Sequence, residues 1–227
     1  GRMDRRTTFV DGLILPRAMA LYRDGLLVAE PPQLWYYRDR DGDGKADEKI
    51  SVASDYGDRK NPEHTANGLV LAMDNWIYNL YHTWRYRWLN GRWERQPVPN
   101  RVQWGLSQDD FGHPYYNSNS DVLRTDSVPG EYYFRNPFHR ANSGVNVQPL
   151  KDQSVWPSRV NPGVNRGYQE KTLKPDGRLD KYTATCGPGI YRGDNFPAEF
   201  QGNPFIPEPS ANFVRRMALT DKSGELT

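Results

Sequence analysis

Cysteine is almost absent from this sequence of 227 residues, which contains only Cys186. One thiol cannot form an internal disulfide, so a disulfide scaffold is excluded. The sequence also lacks an excess of either charge, since 30 basic residues stand against 28 acidic ones. A nucleic-acid-binding protein is expected to carry a concentrated basic surplus, and this composition disfavours that class. No apolar run approaches the length of a transmembrane helix.

What the sequence does contain is aromatic and turn-forming residues. Aromatic residues make up 13% of the chain, with 7 Trp and 14 Tyr. Disordered chains are depleted in aromatic residues, so this chain is expected to fold. The 20 Gly and 18 Pro indicate frequent turns and argue against a helical bundle. The first six residues lack the apolar core of a signal peptide, and both ends are abrupt, so we expect an excerpt of a longer chain.

A local pattern recurs four times along the chain, beginning near residues 18, 68, 105 and 187. Each copy has a short apolar strand, a turn containing Asp, Asn or Gly, and a returning strand, which predicts a β-hairpin. The first three turns are predicted at residues 24–25, 74–75 and 110–112, that is at Asp24-Gly25, Asp74-Asn75 and Asp110-Phe111-Gly112. The first two intervals are close to the roughly 40–50 residues of a four-stranded propeller blade. We therefore predict an all-β chain, a partial β-propeller over residues 1–227 with about four blades. A β-sandwich is the alternative, because it also shows hairpins at regular spacing.

The third interval is too long for one blade. It contains a stretch from about residue 125 to residue 185 that is rich in Asn, Pro, Tyr and Arg and has little periodicity. Long segments without regular structure are uncommon in compact domains and are usually functional or disordered. The aromatic residues in this stretch favour an ordered, irregular insertion that packs over one face. No second domain is predicted.

The most conspicuous local feature is an acidic loop. Acidic side chains at positions 1, 3, 5 and 9 of the loop, with glycine at position 6, are typical of oxygen ligands wrapped around one hard cation. The predicted calcium ligands are Asp39, Asp41, Asp43 and Asp47, together with the main-chain carbonyl of Lys45. Such close carboxylates repel one another without a cation. A solvated acidic turn is the alternative, and the expected role of a bound ion is structural.

Two further residues suggest chemistry because they precede equivalent strands. His64 lies just before the second copy, and Arg101 lies just before the third. We therefore expect the two side chains to point from adjacent blades into one shared axial cavity. A neutral imidazole is a common biological base, and a guanidinium suits a carboxylate or a developing oxyanion. A packing role for His64 and a simple ion pair for Arg101 are the alternatives. The sequence has no Cys-x-x-Cys-His, no Gly-rich phosphate loop and no nucleophile elbow.

Several segments together resemble bacterial membrane-bound dehydrogenase-like β-propellers, which are related to the soluble quinoprotein glucose and sorbosone dehydrogenases. The resemblance covers most of the chain. The segments that carry it are residues 15–17, 41–47, 62–69, 74–78, 101–106 and 189–203. The resemblance implies a six-bladed propeller of which this chain holds part.

The resemblance also implies a function, a cofactor and a compartment. By similarity, His64 removes the proton of a sugar or alcohol hydroxyl, and hydride passes to pyrroloquinoline quinone (PQQ). Arg101, Asn67 and Asn119 are expected to bind the cofactor, with Ca²⁺ as a second cofactor. Electrons would pass to a c-type cytochrome or a fused haem domain in a periplasmic or secreted protein. The rival hypotheses are a non-catalytic propeller that binds carbohydrate or protein, and a structural subunit of a haem-protein assembly.

Overall fold

The computed structural model describes residues 4–136, 138, 143–160, 171–222 and 225–226. In this part of the chain the regular structure is almost entirely β. The strands are β1 (Ala18–Tyr22), β2 (Gly25–Glu30), β3 (Gln33–Arg38), β4 (Glu48–Ala53), β5 (Asn67–Leu71), β6 (Ile77–Leu80), β7 (Trp84–Leu89), β8 (Arg92–Pro97), β9 (Trp104–Gln108), β10 (Pro114–Ser118), β11 (Asp121–Thr125), β12 (Gly189–Ile190), β13 (Pro204–Glu208), β14 (Phe213–Arg216), β15 (Asp221–Lys222) and β16 (Glu225–Leu226). Short 3₁₀ helices span Gly130–Arg135, Ala198–Phe200 and Pro209–Ala211.

The strands form antiparallel sheets in which chain neighbours are also sheet neighbours. The main sheets are β1-β2-β3-β4, β5-β6-β7-β8, β9-β10-β11 and β12-β13-β14. Each of the four predicted copies begins at the first strand of one of these sheets, so the prediction of about four blades is confirmed. Four-stranded antiparallel sheets in chain order are propeller blades, whereas a sandwich uses Greek-key connections. The fold is therefore an all-β propeller type.

The chain divides into two compact units, residues 1–96 and residues 97–227. The first unit holds the two four-stranded sheets, whose shared core is aromatic. Its buried residues include Tyr22, Leu27, Leu34, Tyr36, Tyr56, Ile77 and Tyr86. The ring centroid of Trp93 lies 5.4 Å from those of both Tyr22 and Tyr36. Large aromatic side chains therefore supply much of the apolar burial that scarce aliphatic residues cannot.

The hairpin between β1 and β2 corrects one detail of the sequence prediction. We expected a turn at Asp24 and Gly25, but Tyr22 pairs with Gly25, and the turn residues are Arg23 and Asp24. Arg23 adopts the positive φ of 52°. Gly25 is needed in the strand, because a Cβ there would lie 2.3 Å from the main-chain oxygen of Tyr37. Close packing, not turn geometry, thus requires this glycine.

The second unit has its own core beneath its two three-stranded sheets. Buried Tyr115, Val122, Leu123, Val155, Leu179, Tyr182 and Ile206 belong to it. At one point two glycine backbones nearly touch: a Cβ on Gly187 would lie 2.4 Å from the Cα of Gly105. Since Gly105 lies in β9 and Gly187 precedes β12, this contact brings the two segments into close approach.

The predicted insertion separates β11 from β12. In its described residues it holds the 3₁₀ helix Gly130–Arg135 and isolated bridges between Thr125 and Val147, Ser154 and Lys181, and Leu173 and Leu179. Residues 137, 139–142 and 161–170 of the predicted insertion lie outside the described part. Val155, Leu179 and Tyr182 of this stretch enter the core. The aromatic residues that led us to expect packing over one face are instead largely exposed, among them Tyr132, Phe134, Phe138 and Trp156. Among the described helices, none combines the length and apolarity that crossing a membrane requires.

Candidate functional site

The acidic loop between β3 and β4 draws three of its carboxylates together. One oxygen from each of Asp39, Asp41 and Asp43 lies within 4.8 Å of the others. Asp39 accepts hydrogen bonds from the main-chain nitrogens of Gly42 at 2.7 Å and Gly44 at 2.9 Å. These bonds hold the pKa of Asp39 below its ordinary value. Both glycines have positive φ, so the loop folds back over the first carboxylate.

The other predicted ligands make different contacts. Asp47 accepts a hydrogen bond from the main-chain nitrogen of Arg40 at 2.7 Å. Lys45 donates its main-chain N–H to Asp43 at 2.7 Å. Three oxygen donors of hard, anionic type thus converge at one place, and this donor set fits Ca²⁺.

His64 lies exposed in the segment between β4 and β5. Its main-chain nitrogen donates to the carbonyl of Asn61 at 3.0 Å, which shapes the turn. Its Nδ1 atom lies 3.1 Å from the hydroxyl of Tyr81, and the two rings meet edge to face. Burial, with a smaller contribution from the charge of Glu63, raises the pKa of Tyr81. The tyrosine is therefore a neutral partner of the imidazole at physiological pH.

The direction of the hydrogen bond between His64 and Tyr81 decides what the imidazole can do. If the tyrosine donates to Nδ1, a neutral ring carries its proton on Nε2. Nε2 then has no lone pair with which to accept a proton from a substrate. If Nδ1 donates to the phenolic oxygen, Nε2 holds the lone pair and can accept a proton. A tyrosine hydroxyl can serve either way, so the pair permits the tautomer that a general base needs.

Asn67, three residues further on, is buried at the start of β5. Its side-chain Nδ2 donates to the main-chain oxygen of Thr65 at 3.0 Å. This bond ties the His64 segment to the strand that follows. The amide of Asn67 therefore has a local structural contact, and cofactor binding by this residue stays a prediction.

Arg101 is buried in the second unit beside an equally buried carboxylate. Its side chain is 2% exposed, and that of Asp126 is 1% exposed. The arginine Nε and Nη2 atoms lie 3.0 Å and 2.6 Å from one oxygen of Asp126. The other oxygen accepts from the hydroxyl of Tyr116 at 2.5 Å and the main-chain nitrogen of Asn146 at 2.9 Å. The guanidinium of Arg101 is thus paired with an internal carboxylate, and both oxygens of that carboxylate accept hydrogen bonds.

The third predicted cofactor-binding residue, Asn119, lies in the turn between β10 and β11. Its Oδ1 accepts a hydrogen bond from the indole of Trp104 at 2.6 Å. Its main-chain oxygen accepts from the nitrogen of Thr185 at 3.0 Å. Asn119 therefore joins the turn to β9 and to the end of the insertion.

Sequence reasoning missed the two partners that define these side chains, Tyr81 and Asp126. Each lies one residue after a short strand, and neither belongs to a recognisable pattern. His64 and Arg101 belong to different compact units. The hypothesis that they face one shared cavity stays a prediction.

A separate cavity of about 440 Å³ lies in the first unit. Its lining residues are Ser51, Val52, Ala53, Ser54, Asp55, Tyr86, Trp93, Glu94 and Arg95. Arg95 donates to both oxygens of Asp55, at 3.1 Å and 2.8 Å. The indole nitrogen of Trp93 is buried and has no hydrogen-bond partner among the described residues. The cavity thus combines an aromatic side chain with several polar groups.

A known protein family accounts for the full length of the chain. The model of a domain of unknown function, DUF7133, matches residues 1–227. The chain belongs to the DUF7133 family. A comparison of this DUF7133 chain with curated proteins gave no match.

Solved structures similar to this DUF7133 chain include two bacterial proteins. Virginiamycin B lyase from Staphylococcus aureus is 12% identical with a TM-score of 0.38, over 93% of this chain and 68% of the lyase. A protein from Thermus thermophilus, assigned as an oxidoreductase (glucose dehydrogenase), is 16% identical with a TM-score of 0.41, over 96% of this chain and 83% of that protein. Both neighbours are β-propellers.

Proposed function

We propose that this chain is the propeller part of an exported dehydrogenase that oxidises a sugar or related alcohol, with His64 as general base. The supporting observation is the exposed imidazole bonded through Nδ1 to the Tyr81 hydroxyl at 3.1 Å. With Nδ1 as the donor, Nε2 accepts the proton of the substrate hydroxyl. Loss of that proton makes the carbinol carbon a better hydride donor. General-base assistance of this kind contributes about 10²–10⁴-fold in rate.

PQQ is the cofactor that the sequence resemblance implies, and when bound it accepts hydride. The residues expected to hold it do not form an open donor set in this structure. Arg101 is buried against Asp126, while Asn67 and Asn119 make internal hydrogen bonds. The chain's own residues therefore support the proton transfer, and PQQ binding is a hypothesis for the full-length protein.

The experiment uses full-length protein reconstituted with PQQ and Ca²⁺ and follows dye reduction by aldoses. His64→Ala is expected to lower kcat by about 10²–10⁴-fold. Tyr81→Phe removes the phenolic oxygen that can accept from Nδ1 in the tautomer that a general base needs, so its pH–rate profile is expected to shift. His113→Ala is the matched control, because that histidine is held by Asp109 at 2.8 Å, outside this pair. Absence of quinone-dependent turnover, or unchanged turnover in His64→Ala, would overturn the proposal.

We also propose that the loop of residues 39–47 binds Ca²⁺ and holds together β3 and β4. Three converging carboxylates support this, because their mutual repulsion is relieved by one divalent cation. A ligand that binds only the folded state raises its stability by about 2.7 kcal/mol at a hundred times Kd. Ca²⁺ is therefore expected to raise Tm, and Asp41→Asn combined with Asp43→Asn to abolish the rise. An equal rise in that double variant would contradict the site, and Asp11→Asn is the control.

For the whole protein, we propose a periplasmic or secreted location and a c-type cytochrome or fused haem domain as electron acceptor. Both follow from the sequence resemblance alone. Co-purification of the full-length protein with a haem protein, and reduction of its haem by substrate, is the expected result. Haem co-purification without substrate oxidation would instead favour a structural subunit of a haem-protein assembly.

A second candidate function is carbohydrate binding without catalysis, and the cavity of the first unit favours it. Trp93 lines this cavity together with polar residues such as Asp55 and Arg95, and aromatic side chains suit sugar rings. Isothermal titration with cellohexaose, xylohexaose and chitohexaose tests this candidate. Binding that is lost in Arg95→Gln but retained in His64→Ala, without redox activity, would support it. Failure of all three probes to bind would count against it.

A further inference from the structure

A cavity of the second unit lies outside the candidate sites described above. Its volume is about 860 Å³, and small-molecule sites commonly measure about 300–1,000 Å³. The lining residues come from the turn between β10 and β11 and from the insertion. They are Ser120, Lys151, Asp152, Gln153, Ser154, Lys171, Thr172, Lys181 and Tyr182.

Main-chain pairing fixes the walls of this cavity. Val155 donates its N–H to the carbonyl of Asp180 at 2.9 Å, and Asp180 donates to Thr172 at 2.8 Å. The side chain of Gln153 accepts from the nitrogen of Val122 at 3.0 Å, which attaches the insertion to β11. Three separate stretches of the chain are thereby held around one space. The insertion is irregular in secondary structure, but its backbone is pinned at these places.

The lining is rich in positive charge. Lys151, Lys171 and Lys181 come from three different segments and are exposed, so their ammonium groups remain hydrated and mobile. Asp152 is the one acidic residue among those lining the cavity, and it accepts a hydrogen bond from the nitrogen of Ser154 at 2.9 Å. Arg215 donates to the hydroxyl of Tyr182 at 2.5 Å, so a fourth cation lies beside the lining.

We propose that this cavity binds a small polyanion, a molecule with two or more carboxylate, phosphate or sulfate groups. Lysine ammonium groups are compact, strongly hydrated charges that attract such oxygens from several directions. A cavity of this size admits a small molecule together with the waters that bridge it to lysine. The balance of 30 basic and 28 acidic residues over the chain disfavours nucleic acid as the ligand. The positive charge is instead concentrated locally.

The experiment is isothermal titration of the full chain with citrate and with pyrophosphate at low and at moderate salt. At least one is expected to bind, and higher salt is expected to weaken binding because it screens exposed charges. Lys151→Gln combined with Lys181→Gln is expected to raise Kd at least tenfold. Lys60→Gln is the matched control, because that exposed lysine belongs to the first unit and lies outside the lining.

Asp152→Asn is expected to strengthen binding, and a variant that failed to fold could not give that result. Removing the single lining carboxylate is expected to lower Kd several-fold, while the amide oxygen can still accept from Ser154. Binding of citrate or pyrophosphate identifies a carboxylate or a phosphate preference, and both results support the proposal. Failure of both probes to bind overturns it, as does binding that neither the lysine pair nor Asp152→Asn changes. None of these outcomes bears on His64 or the calcium loop, which lie in the other unit.

Discussion

At the scale of single residues, the buried ion pair of Arg101 and Asp126 shows how a side chain that suggests chemistry can serve the fold. Each group would cost several kcal/mol to bury alone, and the pair tolerates burial because Asp126 receives four hydrogen bonds. Burial and the neighbouring carboxylate also raise the pKa of Tyr116, so its hydroxyl stays a donor. These contacts unite the segment before β9 with the end of β11 and the insertion.

Removal of the carboxylate charge at position 126 is expected to be severely destabilising. Asp126→Asn leaves the guanidinium of Arg101 buried without its counter-ion, at a cost of about 3–5 kcal/mol. Chemical denaturation of the full chain measures this loss. Asp55→Asn, which breaks the half-exposed pair with Arg95, is the control and is expected to cost no more than about 1 kcal/mol. Arg101→Leu combined with Asp126→Asn should cost less than Asp126→Asn alone, because no unpaired cation then remains while the amide oxygen can still accept from Tyr116. A larger loss in the double variant would contradict this explanation.

His82 predicts a dependence of stability on pH. Burial lowers its pKa from 6.5 to about 4, and its ring stacks on Tyr86, whose hydroxyl lies 2.7 Å from Nε2. The unfolded chain therefore binds more protons than the folded chain between these two pH values. Stability is retained above about pH 6.5 and falls as the pH drops towards about 4, at roughly 1.4 kcal/mol per pH unit.

Urea unfolding at a series of pH values tests the role of His82. His82→Gln removes the titrating group. The free energy of unfolding is then expected to change less steeply with pH between 6.5 and 4, by the equivalent of about one bound proton. His64→Gln is the control variant, because that histidine is exposed. If His82→Gln and the unchanged protein showed the same slope, other groups would be responsible for the acid sensitivity.

At the scale of elements, two glycines allow two segments to come into near-contact. Gly105 lies in β9, and Gly187 lies in the segment before β12. Gly105 has φ of +80°, and a Cβ there would lie 2.4 Å from the Cδ of Pro188. Gly105→Ala is therefore expected to cost about 1–2 kcal/mol for the left-handed backbone and about 1–3 kcal/mol more for the overlap. Gly91→Ala carries the backbone penalty alone, because a Cβ there would meet nothing within 4 Å.

The difference between these two alanine variants isolates the close approach. Thermal unfolding of both is expected to show a clearly lower Tm for Gly105→Ala. Equal Tm values would mean that β9 and the segment before β12 can move apart without a loss of stability.

The sequence predicted those elements whose signals are local. Asn75 and Gly112 have positive φ at the turns where the pattern predicted them, and apolar residues on either side marked the strands. The turn at Arg23 and Asp24 was misplaced by one residue, because Gly25 is required by its contact with Tyr37 across the sheet. Such a tertiary requirement leaves no trace in a local pattern.

In the candidate sites, too, contacts between neighbours in the sequence could be predicted, and contacts between distant residues could not. The convergence in the acidic loop of residues 39–47 could be predicted because its carboxylates are neighbours in the sequence, and three of them do converge. The contact of His64 with Tyr81 spans 17 residues, and that of Arg101 with Asp126 spans 25. The residue types at these positions do not predict either partner. The lysines around the second-unit cavity come from separate segments and are brought together only by the pairing of the insertion.

At the scale of the whole molecule, stability should be distributed unevenly along the chain. Strands β2 and β3 are each paired on both sides over most of their length, and their residues lie in an aromatic core. The described insertion is instead held by isolated bridges and single hydrogen bonds. Local opening requires less free energy where few buried contacts and few ladder bonds must break. The insertion is therefore expected to open far more often than the blades.

Hydrogen exchange followed by mass spectrometry can map this distribution in the full chain. Peptides covering residues 25–38 are expected to exchange slowest, and those covering residues 143–160 and 171–181 to exchange at least tenfold faster after correction for intrinsic rates. Saturating citrate or pyrophosphate should slow exchange in the insertion peptides if the lysine-lined cavity is occupied, and Lys151→Gln with Lys181→Gln should remove that protection. Uniform protection across strands and insertion would mean that the irregular segment unfolds only together with the blades. In that case the backbone around the cavity would already be rigid before any ligand arrives.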